Sequence, residues 1–253
     1  MLDTIKPLNG QVAWITGAGS GIGRAITHKL ARQGAMIAAL DICEQAAKTT
    51  IDGLQGIALK CDVSDESDVM LISKKLNKNL GPCDILINAA GITANHRIAS
   101  HDKKVWQKII DVNLTGPFHM SRAIHASMIT RRHGRIINIV SGSGVRVGAG
   151  VGAYGASKAG LIALTKALAN EGAESGVTAN AVAPGLVDTP MMRMHMPETE
   201  TLEAAARVSN ISNPMGLVLQ PEDIAHAVAF LCHPESKGIT GQVIHVNAGS
   251  IMP

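Results

Sequence analysis

The 253-residue chain has the composition of a globular protein with a large core, since 46% of its residues are hydrophobic and 17% are charged. Its net charge of +3 is spread without a long basic run, and only 2% of its residues are aromatic, which argues against nucleic-acid binding. Four scattered cysteines lack metal-ligand spacing, so we expect reduced thiols and no metal site. Without an apolar leader or a membrane-length apolar run, the chain is expected to be cytoplasmic and not membrane-bound.

Short apolar runs alternate with stretches of helical periodicity along the whole chain. The predicted strands lie at 12–16, 36–41, 56–61, 84–88, 135–141, 178–183 and 242–246. The predicted helices lie at 21–33, from about Cys43, at 65–79 after an N-cap at Ser64, at 102–131 with a kink at Gly116-Pro117, at 153–174 and at 221–232. This alternation predicts one α/β domain over residues 1–253, a Rossmann-like doubly wound parallel sheet of about seven strands flanked by helices.

The stretch 185–220 differs from the rest, because it shows no clear periodicity and is rich in methionine. Irregular segments of this length in compact domains usually serve as functional lids. We therefore predict a substrate flap at about 186–215.

A glycine-rich loop, TGAGSGIG at 16–23, directly follows the first predicted strand and opens the first helix. Glycines allow a tight turn and let backbone N–H groups approach a pyrophosphate at the positive end of a helix. The loop therefore predicts a dinucleotide site, and the alternative is a plain strand-to-helix turn. The residues expected to contact the cofactor here are Gly17, Ser20, Gly21, Ile22 and Gly23.

Asp41 lies at the end of the second predicted strand, where an acid commonly binds the adenosine ribose. Its carboxylate can accept hydrogen bonds from the ribose hydroxyls and would repel a 2′-phosphate, so NAD is favoured and NADP is less favoured. Asp41 and Glu44 also match a helix capping box, which is the competing interpretation.

Tyr154 is the only tyrosine, and Lys158 follows it by one helical turn, on the same helix face. A tyrosine with an ordinary pKa of about 10 is hardly ionised at pH 7. A nearby ammonium together with a cationic nicotinamide would lower that pKa in a desolvated cleft. The pair therefore predicts an acid–base tyrosine that acts beside a nicotinamide cofactor.

These features occur in the order seen in the short-chain dehydrogenase/reductase family, which the chain resembles from about residue 8 to its end. The motifs that carry the resemblance are Thr16–Gly23, Asn88-Ala89-Ala90-Gly91, Asn113, Ser141, Tyr154 with Lys158, and Pro184-Gly185. The resemblance implies a catalytic set of Asn113, Ser141, Tyr154 and Lys158. Ser141 would bind the substrate oxygen, Tyr154 would exchange its proton, Lys158 would bind the nicotinamide ribose, and Asn113 would hold a relay water.

The resemblance also implies cofactor contacts beyond the glycine loop, to adenine by Asp62 and Val63 and to the adenosine side by the Asn88–Gly91 segment. Val187 and Thr189 would meet the carboxamide, next to Pro184 and Gly185. Simpler interpretations remain open: Ser143 as the catalytic hydroxyl, Asn113 as a helix-bending residue, and Thr189 as the start of the flap. His96 and His195 are weaker candidates for substrate contact.

Within the family the chain most resembles bacterial 3-oxoacyl-[acyl-carrier-protein] reductases, notably in residues 91–93, 112–116 and 180–185. Those enzymes generally use NADP and dock their carrier protein with two arginines. Here Asp41 favours NAD, Arg132 stands at one docking position, Ser175 at the other, and the Val246–Gly249 ending also departs from the usual pattern.

The first functional prediction is therefore NAD(H)-dependent interconversion of a small secondary alcohol, hydroxy acid or hydroxyacyl thioester and its ketone. The alternative is an NADPH-dependent 3-oxoacyl-[acyl-carrier-protein] reductase, and a remote alternative is a non-catalytic dinucleotide-binding sensor. The helix at 157–169 is apolar around much of its circumference. Together with the resemblance, this predicts self-association to a homotetramer.

Overall fold

The structure, a computed structural model, describes residues 6–196, 201–208 and 212–252. Within these residues seven strands form one sheet, and every neighbouring pair runs parallel. The order across the sheet is β3-β2-β1-β4-β5-β6-β7. The first three strands therefore extend in one direction from β1, and after β3 the chain crosses back to place β4 on the other side of β1. The predicted Rossmann-like sheet is therefore confirmed. The strands are β1 (Val12–Thr16), β2 (Met36–Asp41), β3 (Gly56–Lys60), β4 (Ile85–Asn88), β5 (Gly134–Ile139), β6 (Val177–Pro184) and β7 (Val243–Val246).

Helices cover both faces of the sheet, and the alternation of side chains along each strand supplies both contacts. In β1, Ile15 packs into the cluster on the side of α1 and α9, whereas Trp14 packs into the cluster on the side of α3 and α5. Both side chains are fully buried. The helices are α1 (Gly21–Arg32), α2 (Glu44–Ile51), α3 (Glu66–Leu80), α4 (Lys103–Ile110), α5 (Gly116–Arg131), α6 (Gly152–Gly172), α7 (Pro190–His195), α8 (Leu202–Val208) and α9 (Pro221–Cys232).

The N-cap of α3 is Asp65, so the predicted cap at Ser64 is wrong. The Asp65 carboxylate accepts hydrogen bonds from the backbone N–H groups of Ser67 and Asp68, at 2.8 and 3.3 Å. Ser64 is engaged elsewhere, because its N–H and its hydroxyl both donate to Asp62. The carboxylate therefore takes the capping position one residue later.

The long helix predicted at 102–131 is divided by a π-helical turn at Asp111–Thr115, which separates α4 from α5. The irregularity therefore precedes Gly116-Pro117, where the sequence predicts it. Pro117 lies in the first turn of α5, directly after the π-turn, and the backbone keeps helical dihedral angles through Thr115 and Gly116. A wide π-turn is a common irregularity at functional sites, and this one contains Asn113.

The segment predicted as an irregular flap contains the short helices α7 and α8, so the prediction that it lacks regular structure is wrong there. The hydroxyl of Thr189 caps α7 by accepting from the N–H of Met192 at 3.2 Å. Leu186, Ala205 and Ala206 are buried together in a small apolar cluster. Helices of six or seven residues span two turns at most, which is too short for periodicity to reveal them. Residues 197–200 and 209–211 of the predicted flap lie outside the described residues.

Candidate active site

The predicted site residues gather at the carboxyl ends of the parallel strands. The glycine loop follows β1, the Asn88–Gly91 segment follows β4, and Ser141 follows β5. β1 and β4 are neighbours where the strand order reverses, so the crevice expected of such sheets lies between the loops that follow them. In open α/β sheets this reversal point is the usual ligand site.

The glycine loop is held in a form that side chains would obstruct. Gly17 has a φ of +65°, and a Cβ on it would come within 2.8 Å of the backbone of Ala90. A Cβ on Gly23 would come within 2.1 Å of the Gly17 carbonyl oxygen. Gly21 has a φ of +48° and lies against the methyl group of Thr189. These approaches close the loop on itself and bring it next to the segments after β4 and β6.

Thr16 joins the two loops of the crevice, a role that the sequence reasoning missed. Its buried hydroxyl accepts hydrogen bonds from the N–H groups of Ala89 and Ala90, at 3.1 and 3.2 Å. The available signal was a threonine at the end of the strand, immediately before the first glycine. The contact fixes the predicted cofactor residue Ala89 relative to the glycine loop.

The N-terminus of α1 fits a dinucleotide pyrophosphate. Its N-cap, Ser20, makes no side-chain cap hydrogen bond, and no acidic residue lies in the first turn. The cap side chain therefore leaves the first N–H groups of the helix without a hydrogen bond from it. These N–H groups lie at the positive end of the helix dipole. Ile22 packs against the core, which holds this turn on the sheet. The residues present therefore suit a bound phosphate group.

Asp41 faces the glycine loop from the end of β2. One carboxylate oxygen accepts from the N–H of Gly19 at 2.9 Å, and the other accepts from the N–H of Cys43 at 2.9 Å. The helix α2 begins at Glu44 with Cys43 as its N-cap, so the predicted capping box from Asp41 to Glu44 is not formed. The carboxylate is instead placed beside the loop that would hold the cofactor.

The residues expected near adenine lie after β3. One oxygen of the Asp62 carboxylate accepts from both the N–H and the hydroxyl of Ser64, at 2.9 and 2.6 Å. Val63 is buried, and its carbonyl oxygen lies 3.1 Å from a ring nitrogen of His119. A Cβ on Gly116 would come within 2.7 Å of the Val63 side chain, so α5 packs directly against this segment.

The Asn88 side chain lies in a buried polar chain that crosses the sheet. Its amide donates to Asn138 at 2.8 Å, and the Asn138 amide donates to the hydroxyl of Thr165 on α6 at 2.8 Å. All three side chains are buried. The Asn88 side chain thus ties β4 to β5 and α6, and a cofactor contact by Asn88 stays a prediction.

Asn113 connects the π-turn to the loop after β4. Its carboxamide accepts from the N–H of Ile92 at 2.8 Å and donates to the Ile92 carbonyl at 2.9 Å. It also donates to the hydroxyl of Ser157 at 3.1 Å, and Ser157 donates to the Tyr154 carbonyl at 2.7 Å. Ser157 is a second residue that the sequence reasoning missed, although it lies three residues after the tyrosine. The relay water stays a prediction, whereas the hydrogen bonds of the Asn113 side chain link the loop after β4, through Ser157, to the helix that carries Tyr154.

Ser141, Tyr154 and Lys158 come together between the end of β5 and the first turns of α6. The Lys158 ammonium lies 5.6 Å from the centre of the Tyr154 ring and donates to the Ile139 carbonyl at 2.9 Å. The Ser141 hydroxyl accepts from the N–H of Ser143 at 3.1 Å. A hydrogen bond with Ser141 also lowers the pKa of Tyr154. This contact favours Ser141 over Ser143 as the hydroxyl that works with the tyrosine.

The expected lowering of the Tyr154 pKa is not found in the chain alone. Burial raises the pKa of the phenol, and the hydrogen bond with Ser141 offsets this only in part. Burial also lowers the pKa of Lys158 to about 8. Desolvation by burial disfavours the charged form of both groups. The chain itself therefore keeps Tyr154 as a neutral phenol, which is the form that donates a proton.

Gly91 lies at the meeting point of the catalytic groups. A Cβ on Gly91 would lie 3.4 Å from the Asn113 carboxamide oxygen and 3.5 Å from the Lys158 ammonium. On the opposite side, the N–H of Gly185 donates to the Val246 carbonyl at 2.9 Å, directly after Pro184 ends β6. Backbone rather than side-chain atoms therefore border the crevice at both glycines.

The remaining candidates lie at the edge of the site. Val187 is buried and pairs with Leu219 in a short β-bridge, and Thr189 both caps α7 and touches Gly21. The interpretation of Thr189 as the start of the flap is thus compatible with its predicted cofactor contact. The backbone N–H of His96 donates to the Gly150 carbonyl at 2.8 Å. His195 is exposed at the end of α7.

The described residues contain neither a cluster of metal ligands nor a membrane-length apolar helix. No group of three or more His, Cys, Asp or Glu side chains in these ranges is arranged to hold a metal ion. No helix in the described part of the chain is both long and apolar enough to cross a bilayer.

Comparison with known proteins agrees with this site. The family described as enoyl-(acyl carrier protein) reductase matches residues 17–250. The 3-oxoacyl-[acyl-carrier-protein] reductase FabG of Vibrio harveyi is 40% identical over 248 residues, covering 97% of this chain and 99% of that protein. The FabG of Escherichia coli strain K12 is 38% identical over 245 residues, with coverages of 96% and 98%. The crystal structure of gox2181 matches with a TM-score of 0.89 at 31% identity and covers 97% of both chains.

The family match spans residues 17–250, a range that contains Gly17–Gly23 as well as Ser141, Tyr154 and Lys158. The resemblance drawn from the motifs is therefore confirmed. The chain belongs to the short-chain dehydrogenase/reductase family, whose members are nicotinamide-dinucleotide-dependent oxidoreductases acting on alcohol and keto groups.

Proposed function

We propose that this oxidoreductase reduces the keto group of a 3-oxoacyl compound to the 3-hydroxy compound, using NADH. The substrate class rests on the relatives, which are named 3-oxoacyl-[acyl-carrier-protein] reductases at 38–40% identity. They favour this substrate class over the more general secondary alcohol. The observation that carries the chemistry is the neutral, partly buried phenol of Tyr154 beside Ser141 and Lys158.

The reaction needs a hydride on the carbonyl carbon and a proton on its oxygen. The reduced nicotinamide, when bound, supplies the hydride. Ser141 donates a hydrogen bond to the carbonyl oxygen and so orients and polarises it. Tyr154 transfers its phenolic proton to that oxygen as negative charge develops there, which is general acid catalysis.

Lys158 prepares the tyrosine for this transfer. Its ammonium lies 5.6 Å from the phenol ring and would stabilise the phenolate that remains after the proton has left. The pKa of Lys158, at about 8, leaves most of the side chain protonated at pH 7. Asn113 and Ser157 hold the tyrosine backbone, so the phenol is already placed when the substrate arrives.

The choice of NADH rests on Asp41. Its carboxylate lies against Gly19 of the phosphate loop, and it would meet an adenosine 2′-phosphate with a like charge. Arg24, in the first turn of α1, directs its guanidinium to the Gly19 carbonyl and to the hydroxyl of Thr50. That arginine is thus engaged by the protein rather than turned outward to a phosphate.

The catalytic assignment is tested by replacing Tyr154 with phenylalanine. Tyr154→Phe removes only the phenolic oxygen, so we expect turnover to fall at least about 100-fold, the usual scale of acid–base catalysis. The NADH dissociation constant, measured by fluorescence titration, is expected to change little. Turnover that persists in the variant would show that another group supplies the proton.

The cofactor assignment is tested by the ratio of kcat/KM with NADH to that with NADPH. We expect the wild-type ratio to exceed about 10, because two phosphate charges near a carboxylate cost about 2 kcal/mol even at high dielectric. Asp41→Asn keeps a hydrogen-bond acceptor for Gly19 or Cys43 and removes the charge, so it should reduce the ratio. A wild-type preference for NADPH would overturn the assignment.

A secondary alcohol or hydroxy acid outside carrier-protein chemistry is the second candidate. It is favoured by the two positions at which the relatives are expected to carry docking arginines. The guanidinium of Arg132 is bonded to the Glu174 carbonyl, and the other position is occupied by Ser175. A panel of 3-oxoacyl thioesters, free 3-oxo acids and simple ketones separates the two candidates.

We also propose self-association to a tetramer. The outward side of α6 carries four exposed small residues, Ala156, Ala159, Ala163 and Ala167. Small side chains at these positions let a second helix approach closely, and they would otherwise leave apolar surface in water. A monomer in sedimentation at micromolar concentration would refute the proposal.

A further inference from the structure

A polar cleft with two arginines lies next to the turn that follows Ser141. It has a volume of about 660 Å³, and Arg146, Arg207, Ser212 and Ser250 are among its lining residues. Within the described ranges, the cleft is lined by no acidic side chain, and neither guanidinium group has a hydrogen-bond or ion-pair partner. Two uncompensated positive charges therefore share one concave surface.

The backbone of Arg146 is hydrogen-bonded to the turn that follows Ser141. Its N–H donates to the carbonyl of Gly142 at 2.9 Å, and Gly142 directly follows Ser141. A Cβ on Gly144 would come within 3.0 Å of the backbone of Lys158, so this turn packs against the catalytic helix. The arginine thus lies within one turn of the hydroxyl that orients the substrate.

Arg207 reaches the same cleft from α8. The neighbouring Ala206 is fully buried, and its carbonyl accepts from the N–H of Asn213 at 2.9 Å. The Asn213 carboxamide is in turn bonded to both the N–H and the carbonyl of Leu217. The second arginine is therefore carried by a packed segment rather than by a free loop.

The third wall comes from the C-terminal segment. Gly249 and Ser250 line the cleft, and the next residue, Ile251, packs on Gly142, where a Cβ would lie 2.8 Å from its side chain. Asn247 holds this segment by donating to the Ile251 carbonyl at 2.9 Å. The cleft consequently adjoins the Ser141 end of the active site.

We infer that Arg146 and Arg207 bind an oxyanion carried by the substrate, a carboxylate or a phosphate, while the keto group lies at Ser141 and Tyr154. The planar guanidinium groups match the geometry of either oxyanion and form strong charge-assisted hydrogen bonds with it. An anion between them would also remove the repulsion between two like charges. This inference rests on the proposed function, and it adds a charged recognition element to the substrate.

Three probes with the same 3-oxobutanoyl group distinguish the sources of the oxyanion. Free 3-oxobutanoate carries a carboxylate, its coenzyme A thioester carries phosphates, and its N-acetylcysteamine thioester is neutral. We expect Arg146→Gln and Arg207→Gln each to raise KM at least about 10-fold for one anionic probe, as lost charge-assisted hydrogen bonds do. The KM of the neutral thioester and of NADH should stay within about twofold. The exposed Arg32 on α1 provides the control variant Arg32→Gln, which should change none of these values.

Direct binding separates the failure of this inference from the failure of the proposed function. The dissociation constants of 3-oxobutanoate and of the coenzyme A thioester are measured by calorimetry on Tyr154→Phe loaded with NADH. If the arginine variants weaken binding but no probe is reduced by the wild type, the proposed function fails and the anion site stands. If the neutral thioester is reduced and both anionic probes bind and react equally well without the arginines, the anion site is refuted.

Discussion

The buried ammonium of Lys158 makes the stability of this protein depend on pH in a way that one substitution removes. Burial lowers the pKa of Lys158 to about 8 in the folded chain, against about 10.4 for an unfolded lysine. Below pH 8 the side chain is charged in both states, and its burial costs about 3 kcal/mol of folding free energy. Between about pH 8 and 10.4 only the unfolded chain keeps the proton, so stability rises with pH.

Lys158→Met retains the length of the side chain and removes the titrating group. From pH 7 to pH 9.5 the wild type should gain about 2 kcal/mol more in its free energy of unfolding than the variant gains. The lost hydrogen bond to Ile139 is present at both pH values in the wild type and therefore cancels in this comparison. The range stops below pH 10, because the raised pKa of Tyr154 lowers stability once unfolded tyrosine ionises.

The assay is urea unfolding of both proteins at the two pH values and at one fixed protein concentration. Lys166→Met, at an exposed position on the same helix, serves as the control and should follow the wild type. Equal pH dependence in the wild type and in Lys158→Met would refute the reasoning, since it would mean that the buried lysine titrates as it does in the unfolded chain.

Two further predictions concern stability. Asn113→Ala leaves both backbone groups of Ile92 without their partner, so we expect a loss of roughly 3 kcal/mol in urea unfolding; an unchanged midpoint would contradict it. Ala248 has a φ of +51°, so Ala248→Gly should gain about 1 kcal/mol and raise Tm by a few degrees. Ala163→Gly, within α6, should lower Tm by a similar amount, and the same sign for both glycine variants would argue against backbone strain at Ala248.

Local patterns predicted most of the fold. The seven strands were recognised because both faces of a parallel sheet are covered, which makes each strand a nearly continuous apolar run. The errors fell where two local signals compete or where a signal is too short. Asp65 displaced Ser64 as the cap of α3, because Ser64 bonds to Asp62. The helices α7 and α8 are too short to show periodicity.

The pKa shifts of Tyr154 and Lys158 could not be predicted from the sequence, because they depend on burial in the folded chain. The spacing of Tyr154 and Lys158 predicts that they are neighbours, and they are. It does not reveal how deeply the pair is buried. Desolvation depends on everything packed around a group, and in the chain alone it raises the Tyr154 pKa. The lowering of that pKa beside a cationic nicotinamide stays a prediction.

The sequence by itself determined the order of the strands along the chain, and it predicts the phosphate loop and the pairing of Tyr154 with Lys158. Each of these depends on residues a few positions apart, whose relative placement is set by local backbone geometry. The tertiary structure alone decided the contact of Thr16 with Ala89, 73 residues away, and the meeting of Arg146 with Arg207 in one cleft. Such contacts follow from how the strands are arranged in the sheet and how the loops pack beyond it, which no local pattern encodes.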